Sequence, residues 1–287
     1  MSIEKDPPGE SNLDPNSPEF LGLESGDSIL KERLKFFFRG KTTVILPLDH
    51  GMAIPVPGLE NLPGLLGQIG HHIDGVVMNY GAARKCRKTL ESVPFCLRTD
   101  LYKPHHGENP DAGPAMLFNI DDALRLEADA VMNMLYTHHS NEATIFRNCS
   151  RLISECHDES IPVILETLPF GLGRPDDYTV ENIRFAVRAA CELGADLVKT
   201  AYPGDKDGFA SIVEEAYVPI VVLGGAASND ESSFLKDIAD AMEAGAAGIA
   251  VGRNVWQHRN PGAMAAALHH IVHEGASAEE ASEKLNS

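Results

Sequence analysis

The sequence has few aromatic side chains, an excess of acids over bases and no long apolar run. Aromatic residues make up 6% of the 287 residues, and 24 Lys and Arg face 42 Asp and Glu, a formal net charge of −18. So acidic a surface disfavours nucleic acid and anionic membranes as partners, and an anionic substrate then requires a local basic site. No apolar stretch approaches the ~18 residues of a membrane span, so none is expected.

Paired cysteines and a secretion signal are also missing. The five cysteines include no C-x-x-C pair, which is typical of reduced, buried thiols in a cytosolic protein. The N-terminal segment has neither the basic nor the apolar stretch of a signal peptide, so a cytoplasmic location is expected. Residues 1–26 are rich in Pro, Gly, Ser, Asn and acids, which predicts a disordered tail.

From residue 27 onward, short β-branched runs alternate with helical patterns. A helix is predicted over Asp27–Arg39, ending at Gly40. Eight strands are predicted: Val44–Asp49, Gly75–Asn79, Phe95–Thr99, Ala130–Tyr136, Pro162–Thr167, Leu197–Ala201, Pro219–Leu223 and Gly248–Val251. Helices are predicted at Asp121–Glu127, Asn141–Cys156, Thr179–Leu193 and Glu231–Ala244. This α/β alternation favours one (β/α)8 TIM barrel over residues 27–287, with an open doubly wound sheet as the alternative.

One lysine stands in the middle of an apolar strand. Lys199 lies within Leu197–Ala201, and burying an ammonium without a partner costs several kcal/mol. A neutral amine is the nucleophile that forms Schiff bases with carbonyl substrates. Lys199 is therefore the candidate catalytic nucleophile. The alternative is a structural lysine whose head group reaches the barrel mouth and pairs with a carboxylate.

Two carboxylates are expected at the same end of the barrel, where barrel enzymes carry their active sites. Asp49 follows the first strand, and Glu166 lies near the end of the fifth, beside the lysine strand. Asp49 is a candidate acid/base, or else a cap of the following turn. Glu166 is a candidate proton-transfer group, or else a structural partner of Lys199. His50 is a further candidate for substrate binding or proton transfer.

The last two strands end in glycine pairs that suit a phosphate. Gly224-Gly225 and Gly252-Arg253 sit where barrels commonly bind phosphate with backbone N–H groups, and Arg253 adds a bidentate donor. The alternative is that these glycines only permit tight turns.

The histidines form consecutive pairs without metal-ligand spacing. They are His71-His72, His105-His106, His138-His139 and His269-His270. Consecutive residues of a strand face opposite sides, so most are expected at the surface or in loops, and no metal or other cofactor is predicted. A metal site using His105 and His138 at the barrel mouth is the alternative.

Several of these segments resemble the DeoC/FbaB (DhnA-type) class I aldolase family. The similar segments are Leu48-Asp49-His50-Gly51, Gly194–Thr200, Val222–Gly225 and Val251–His258. The resemblance implies a (β/α)8 barrel that forms a Schiff base through Lys199, with Asp49 as acid/base and Gly224, Gly225, Gly252 and Arg253 on a substrate phosphate. It also implies a homo-oligomer, often a decamer of pentameric rings. Within the family, residues 198–205 are similar to archaeal-type fructose-bisphosphate aldolases and 2-amino-3,7-dideoxy-threo-hept-6-ulosonate synthases.

The chain departs from that family at two places. Members usually end strand five in Tyr-Pro-Arg-Gly, whose tyrosine is the proton donor, but this chain has Leu168-Pro169-Phe170-Gly171. The glycine pair Gly224-Gly225 is usually followed by Pro-Lys, but here by Ala226-Ala227, which removes one cation from the phosphate site. We therefore predict a class I aldolase or C–C bond transferase for a phosphorylated keto sugar, with Glu166 in place of the tyrosine and Tyr202 or His50 as substitutes. The rivals are an Lsr-type autoinducer-2 phosphate thiolase, a metal-dependent aldolase and a non-catalytic sugar-phosphate-binding barrel.

Overall fold

The computed structural model describes residues 28–54, 56–86, 88–90, 93–103, 113–169, 177–225 and 230–286. Within them, eight parallel strands close into a barrel in which each strand pairs with the next and the last pairs with the first. The strands are β1 Thr43–Pro47, β2 Gly75–Met78, β3 Phe95–Arg98, β4 Ala130–Thr137, β5 Val163–Pro169, β6 Leu197–Thr200, β7 Ile220–Leu223 and β8 Gly248–Ala250. The predicted (β/α)8 barrel is confirmed, and each predicted strand end lies within two residues of the observed one. The predicted tail, residues 1–26, lies outside the described residues.

Helices surround the barrel. They are α1 Ser28–Lys35, α2 Leu62–Ile69, α3 Tyr80–Cys86, α4 Ile120–Arg125, α5 Glu142–Asp158, α6 Val180–Leu193, α7 Lys206–Glu215, α8 Glu231–Glu243, α9 Arg253–Trp256, α10 Pro261–Glu274 and α11 Ala278–Asn286. A two-stranded antiparallel ribbon, Asp100–Leu101 with Ala115–Met116, follows β3. All five cysteines are free and buried, as predicted. None of the helices in the described ranges is long and apolar enough to cross a membrane.

Helix α1 closes the N-terminal end of the barrel. It ends at Lys35, before the predicted end at Arg39, and the following residues form turns with hydrogen bonds to the residue three positions earlier. The prediction was wrong there because Phe37 leaves the helix to fill the barrel end. Phe37 and Leu34 are fully buried against the side chains of the barrel interior. A Cβ at Gly75 would lie 2.4 Å from the Phe37 ring, so this close approach requires glycine.

Three aspartates at the N-terminal rim connect neighbouring strands in the same way. Each precedes an even-numbered strand, and its Oδ2 accepts a hydrogen bond from a backbone N–H at the start of the preceding strand. The donor–acceptor pairs are Val44–Asp74 at 2.7 Å, Phe95–Asp129 at 2.9 Å and Val163–Asp196 at 2.7 Å. These carboxylates satisfy backbone donors at the barrel edge that would otherwise be buried without a partner.

Candidate active site

A cavity of about 250 Å³ opens at the C-terminal end of the barrel. Its walls come from the ends of the strands and the loops that follow them, which is where barrel enzymes carry their sites. All eight site residues predicted from the sequence line it: Asp49, His50, Glu166, Lys199, Gly224, Gly225, Gly252 and Arg253. The structure therefore brings together residues that are up to 204 positions apart in the chain, Asp49 and Arg253 being the extremes.

Lys199 and Glu166 form an ion pair at the floor of this cavity. They are register partners on β6 and β5, so their side chains leave adjacent strands at the same level. Lys199 Nζ lies 2.8 Å from Glu166 Oε1. The two residues are only 4% and 7% exposed. Charges attract strongly where water is excluded, so each of these groups fixes the position of the other.

Arg98 is the central residue of the site, and the sequence analysis missed it. It ends β3, is 1% exposed, and lines the cavity. Its Nε donates to Asp49 Oδ2 at 2.7 Å, its Nη1 donates to Asp100 Oδ1 at 3.3 Å, and its Nη2 donates to Glu166 Oε2. The signal that pointed to Lys199, a cation in an apolar strand, was present here as well, in Phe95–Arg98.

Burial and the Arg98 guanidinium act in opposite directions on the pKa values of the three carboxyl groups that Arg98 contacts. Burial raises the pKa of Asp49, but Arg98 and the adjacent His50 outweigh it and hold this pKa well below its usual range. Burial also opposes the ionised form of Glu166, yet Lys199 and Arg98 lower its pKa below the ordinary value. At Asp100 burial wins against Arg98 and raises the pKa to about 6. Asp49 and Glu166 are therefore ionised at neutral pH.

Asp49 is held by its backbone and by one oxygen only. Asn79, at the end of β2, donates its side-chain amide to the Asp49 carbonyl oxygen at 2.7 Å. Asp49 Oδ1 lies 3.4 Å from His50 Nδ1 without hydrogen-bond geometry, and neither atom has a hydrogen-bond partner among the described residues. The His50 ring packs edge-on against Trp256, with 5.6 Å between the ring centroids. One face of the cavity thus offers buried polar atoms without partners, which is unusual outside functional sites.

The cavity is also lined by two tyrosines, Tyr102 and Tyr178, that were not predicted from the sequence. The Arg98 guanidinium lies over the Tyr102 ring, 4.7 Å from its centroid, and burial raises the Tyr102 pKa. Tyr178 lies just before α6 and also lines the cavity. Tyr202, a predicted substitute for the missing tyrosine, does not line it in the part of the chain that is described. Its ring packs edge-on against Phe209 at 5.5 Å.

The predicted phosphate residues form the side of the cavity at the ends of β7 and β8. A Cβ at Gly252 would lie 2.8 Å from the Pro47 carbonyl oxygen, so the approach of the β8 and β1 ends requires glycine there. Asn254 donates its side-chain amide to the Gly224 carbonyl oxygen at 2.7 Å and ties the two glycine turns together. Arg253 Nε is buried and has no hydrogen-bond partner in the described ranges. This side of the cavity therefore carries a guanidinium, that of Arg253, with a donor that a substrate phosphate could occupy.

The histidine pairs lie in several places. His138 and His139 lie in the loop between β4 and α5, where His138 is exposed and stacks on Phe185 while His139 is buried. The His72 ring contacts those of both His71 and His269, and burial together with His71 lowers the pKa of His72 to about 4. His105 and His106 lie outside the described residues. Where side chains are described, no three Asp, Glu, His or Cys are arranged to hold a metal ion.

Comparisons with known proteins agree with this geometry. Residues 43–258 match the description "DeoC/LacD family aldolase". A 2-amino-3,7-dideoxy-D-threo-hept-6-ulosonate synthase of Archaeoglobus fulgidus is 32% identical over 253 residues, which are 88% of this chain and 94% of that protein. A 2-amino-4,5-dihydroxy-6-oxo-7-(phosphonooxy)heptanoate synthase of Streptomyces griseus is 33% identical over 236 residues, 80% of this chain and 84% of that protein. An archaeal fructose-1,6-bisphosphate aldolase, solved with its catalytic lysine covalently bound to the carbinolamine intermediate, superposes with a TM-score of 0.76 at 30% identity, over 85% of this chain and 99% of that one.

Proposed function

This chain belongs to the DeoC/LacD aldolase family and is a class I aldolase, and we propose that Lys199 is the residue that forms its Schiff base. The observation that carries the proposal is the placement of one buried lysine, 2.8 Å from a carboxylate, in a cavity at the C-terminal end of the barrel. A carboxylate within hydrogen-bond distance is a ready acceptor for the ammonium proton, and the amine becomes nucleophilic once it is neutral.

The chemistry follows from the three charged groups. Lys199 adds to the ketone carbon of the substrate, the carbinolamine loses water, and the resulting iminium draws electrons from the bond to be broken. In the cleavage direction, a base removes the hydroxyl proton of the carbon that departs as an aldehyde, and the bonding pair forms an enamine on the lysine side. Glu166 is the base we assign, because it is ionised in the resting site and adjacent to Lys199. Asp49 assists proton transfer during formation and loss of the carbinolamine.

A phosphate on the substrate is assigned to the Arg253 side of the cavity. The support is the buried Arg253 Nε, which has no hydrogen-bond partner among the described residues and lies next to Gly252, on the same side of the cavity as Gly224 and Gly225. A local cation is needed here, because the net charge of −18 repels an anion from the surface as a whole. We extend the proposal to carbohydrate metabolism in the cytoplasm and to a homo-oligomer; light scattering of the purified protein tests the subunit number.

A second candidate is a C–C bond transferase rather than a lyase. Two of the similar proteins are named as synthases of seven-carbon amino keto acids, one of them a phosphate ester, and this chain covers 94% and 84% of their lengths. In that reaction the enamine left on Lys199 would add to a second carbonyl compound instead of being protonated.

A turnover panel separates these readings. Wild type and Lys199→Met are incubated with fructose 1,6-bisphosphate, with and without a second aldehyde acceptor, and products are identified by mass spectrometry. Cleavage without acceptor supports the lyase, and a product formed only with acceptor supports the transferase. Activity in Lys199→Met, or activity that is lost in EDTA and recovered with zinc, contradicts the imine mechanism.

A further inference from the structure

Arg98 connects the groups to which the proposed function assigns proton transfer. Three of its nitrogens each donate to a different carboxylate, and the residue is almost completely buried. At both Asp49 and Glu166 the guanidinium binds one oxygen, Oδ2 or Oε2. The other oxygen of Glu166 faces Lys199 Nζ, and the other oxygen of Asp49 has no hydrogen-bond partner among the described residues. Only a planar fork of donors can hold two carboxylates in this way.

We propose that Arg98 is a positioning residue of the imine chemistry: it fixes one oxygen each of Asp49 and Glu166, leaves the second oxygen available for proton transfer, and offsets the negative charge around Lys199. This inference rests on the proposed role of Lys199. Arg98 does not itself touch the reacting carbon in this account, and it acts through the two carboxylates.

The charge balance of the cluster makes Arg98 necessary. Without it, the buried carboxylates Asp49, Asp100 and Glu166 would be left with a single cation, Lys199. An excess of negative charge favours the ammonium form of a lysine and so removes its nucleophile. Arg98 cancels part of that charge and so offsets the preference of the three carboxylates for the ammonium form of Lys199.

The test measures the pH dependence of imine trapping. Protein is incubated with dihydroxyacetone phosphate and sodium cyanoborohydride at a series of pH values, and the fraction carrying an adduct on Lys199 is measured by mass spectrometry. Arg98→Lys keeps the charge without the fork. Arg98→Met removes both the charge and the fork. It is examined in an Asp100→Asn background, because removing one cation and one anion together leaves the net charge of the buried cluster unchanged. The matched control is Asp100→Asn alone. Circular dichroism and thermal melting establish that each variant is folded.

For Arg98→Met/Asp100→Asn, we expect the trapping midpoint to lie about one to two pH units above that of Asp100→Asn. For Arg98→Lys, we expect a midpoint near wild type but a kcat reduced by about 10-fold or more, since an ammonium cannot hold both carboxylates in place. An unchanged midpoint in the methionine variant, or full kcat in the lysine variant, overturns the inference. If the methionine variant does not fold, the kcat of Arg98→Lys decides. An absence of adduct on Lys199 of the wild type overturns the proposed function instead, and the inference with it.

Discussion

The two ends of this barrel both bury carboxylates, but they use them differently. At the N-terminal rim, Asp74 accepts from the Val44 backbone N–H, lies 2.8 Å from His273 Nε2 and lies 3.2 Å from Arg39 Nε. Its two oxygens are fully engaged, and helix α1 closes the end of the barrel beneath it. At the C-terminal mouth, Asp49 has one oxygen bound to Arg98, and its other oxygen lies 3.4 Å from His50 Nδ1 without a hydrogen-bond partner in the described ranges.

This difference separates carboxylates that hold the fold from those available for chemistry. A rim aspartate that is fully hydrogen-bonded has no capacity left for a substrate, and its contribution is to stability. At the mouth, Asp49 keeps one buried oxygen without a hydrogen-bond partner among the described residues, and the Glu166 oxygen that Arg98 does not hold faces Lys199, the proposed nucleophile. Substitutions of Asp49 and Glu166 should therefore change rates, and substitutions of the rim aspartates should change stability.

The largest effect is expected at Glu166. Glu166→Gln keeps the shape of the side chain but removes its ability to accept a proton. We expect kcat to fall by roughly 10²- to 10⁴-fold, the usual size of a general acid/base contribution. Imine trapping on Lys199 should persist. Full activity of the folded variant in a steady-state assay would show that Glu166 is only a structural partner of the lysine.

The rim counterpart of that variant is Asp196→Ala. It removes the acceptor of the Val163 N–H and the contact with His157 Nε2 at 3.0 Å. We expect the free energy of unfolding to fall by about 1 to 3 kcal/mol, the cost of an unsatisfied buried donor. Urea denaturation measures this loss, and kcat measured below the unfolding transition should stay within about twofold of wild type. A large drop in kcat with unchanged stability would contradict the division between rim and mouth.

The phosphate side of the mouth should affect binding more than chemistry. Arg253→Ala removes the cation beside Gly252, and we expect KM for a phosphorylated substrate to rise by about 10- to 100-fold, the loss of one charge-assisted donor pair. The matched control is Arg39→Ala at the rim, which should leave KM unchanged. Steady-state kinetics with both variants test whether this side binds the phosphate. Equal KM values for Arg253→Ala and wild type would mean that the glycines serve turn geometry alone.

The smallest effect concerns Asp100, a carboxylate at the mouth whose pKa is raised rather than lowered. Burial moves this pKa from 3.8 to about 6. A raised pKa in the folded state means that the stability contribution is present at low pH and is lost as pH rises through about 6. Asp100→Asn removes this loss, so the variant should gain about 1 to 2 kcal/mol relative to wild type between pH 4.5 and 7.5. Urea unfolding at the two pH values measures the gain, and parallel pH dependence of the two proteins would rule it out.

The fold could be predicted well because each strand carries its own apolar signal. The eight strands, the position of Lys199 and the gathering of strand ends at one mouth follow from periodicity and from the rule for barrel active sites. The pairing of Glu166 with Lys199 needed the register between β5 and β6, which depends on the closure of the whole barrel.

The roles that could not be predicted from the sequence all depend on contacts that a local pattern does not show. Arg98 carries the local signal of a cation in an apolar strand, but its contacts with Asp49 and Glu166, which are 49 and 68 residues away, depend on the closed barrel. Tyr202 was considered as a substitute for the missing tyrosine, whereas in the structure its ring packs against Phe209. Tyr102 and Tyr178 line the cavity from loop positions, and loops have no periodicity from which to predict the direction of a side chain.

The central claim is that the carboxylates at the mouth, Asp49 and Glu166, serve an imine that forms on Lys199. The most direct measurement is peptide mapping by mass spectrometry after borohydride reduction in the presence of dihydroxyacetone phosphate. The account predicts a single reduced adduct on Lys199, abolished in Lys199→Met, with exposed Lys206 unmodified. An adduct on another lysine that lines the cavity, such as Lys103, or turnover without any reducible adduct, would contradict it.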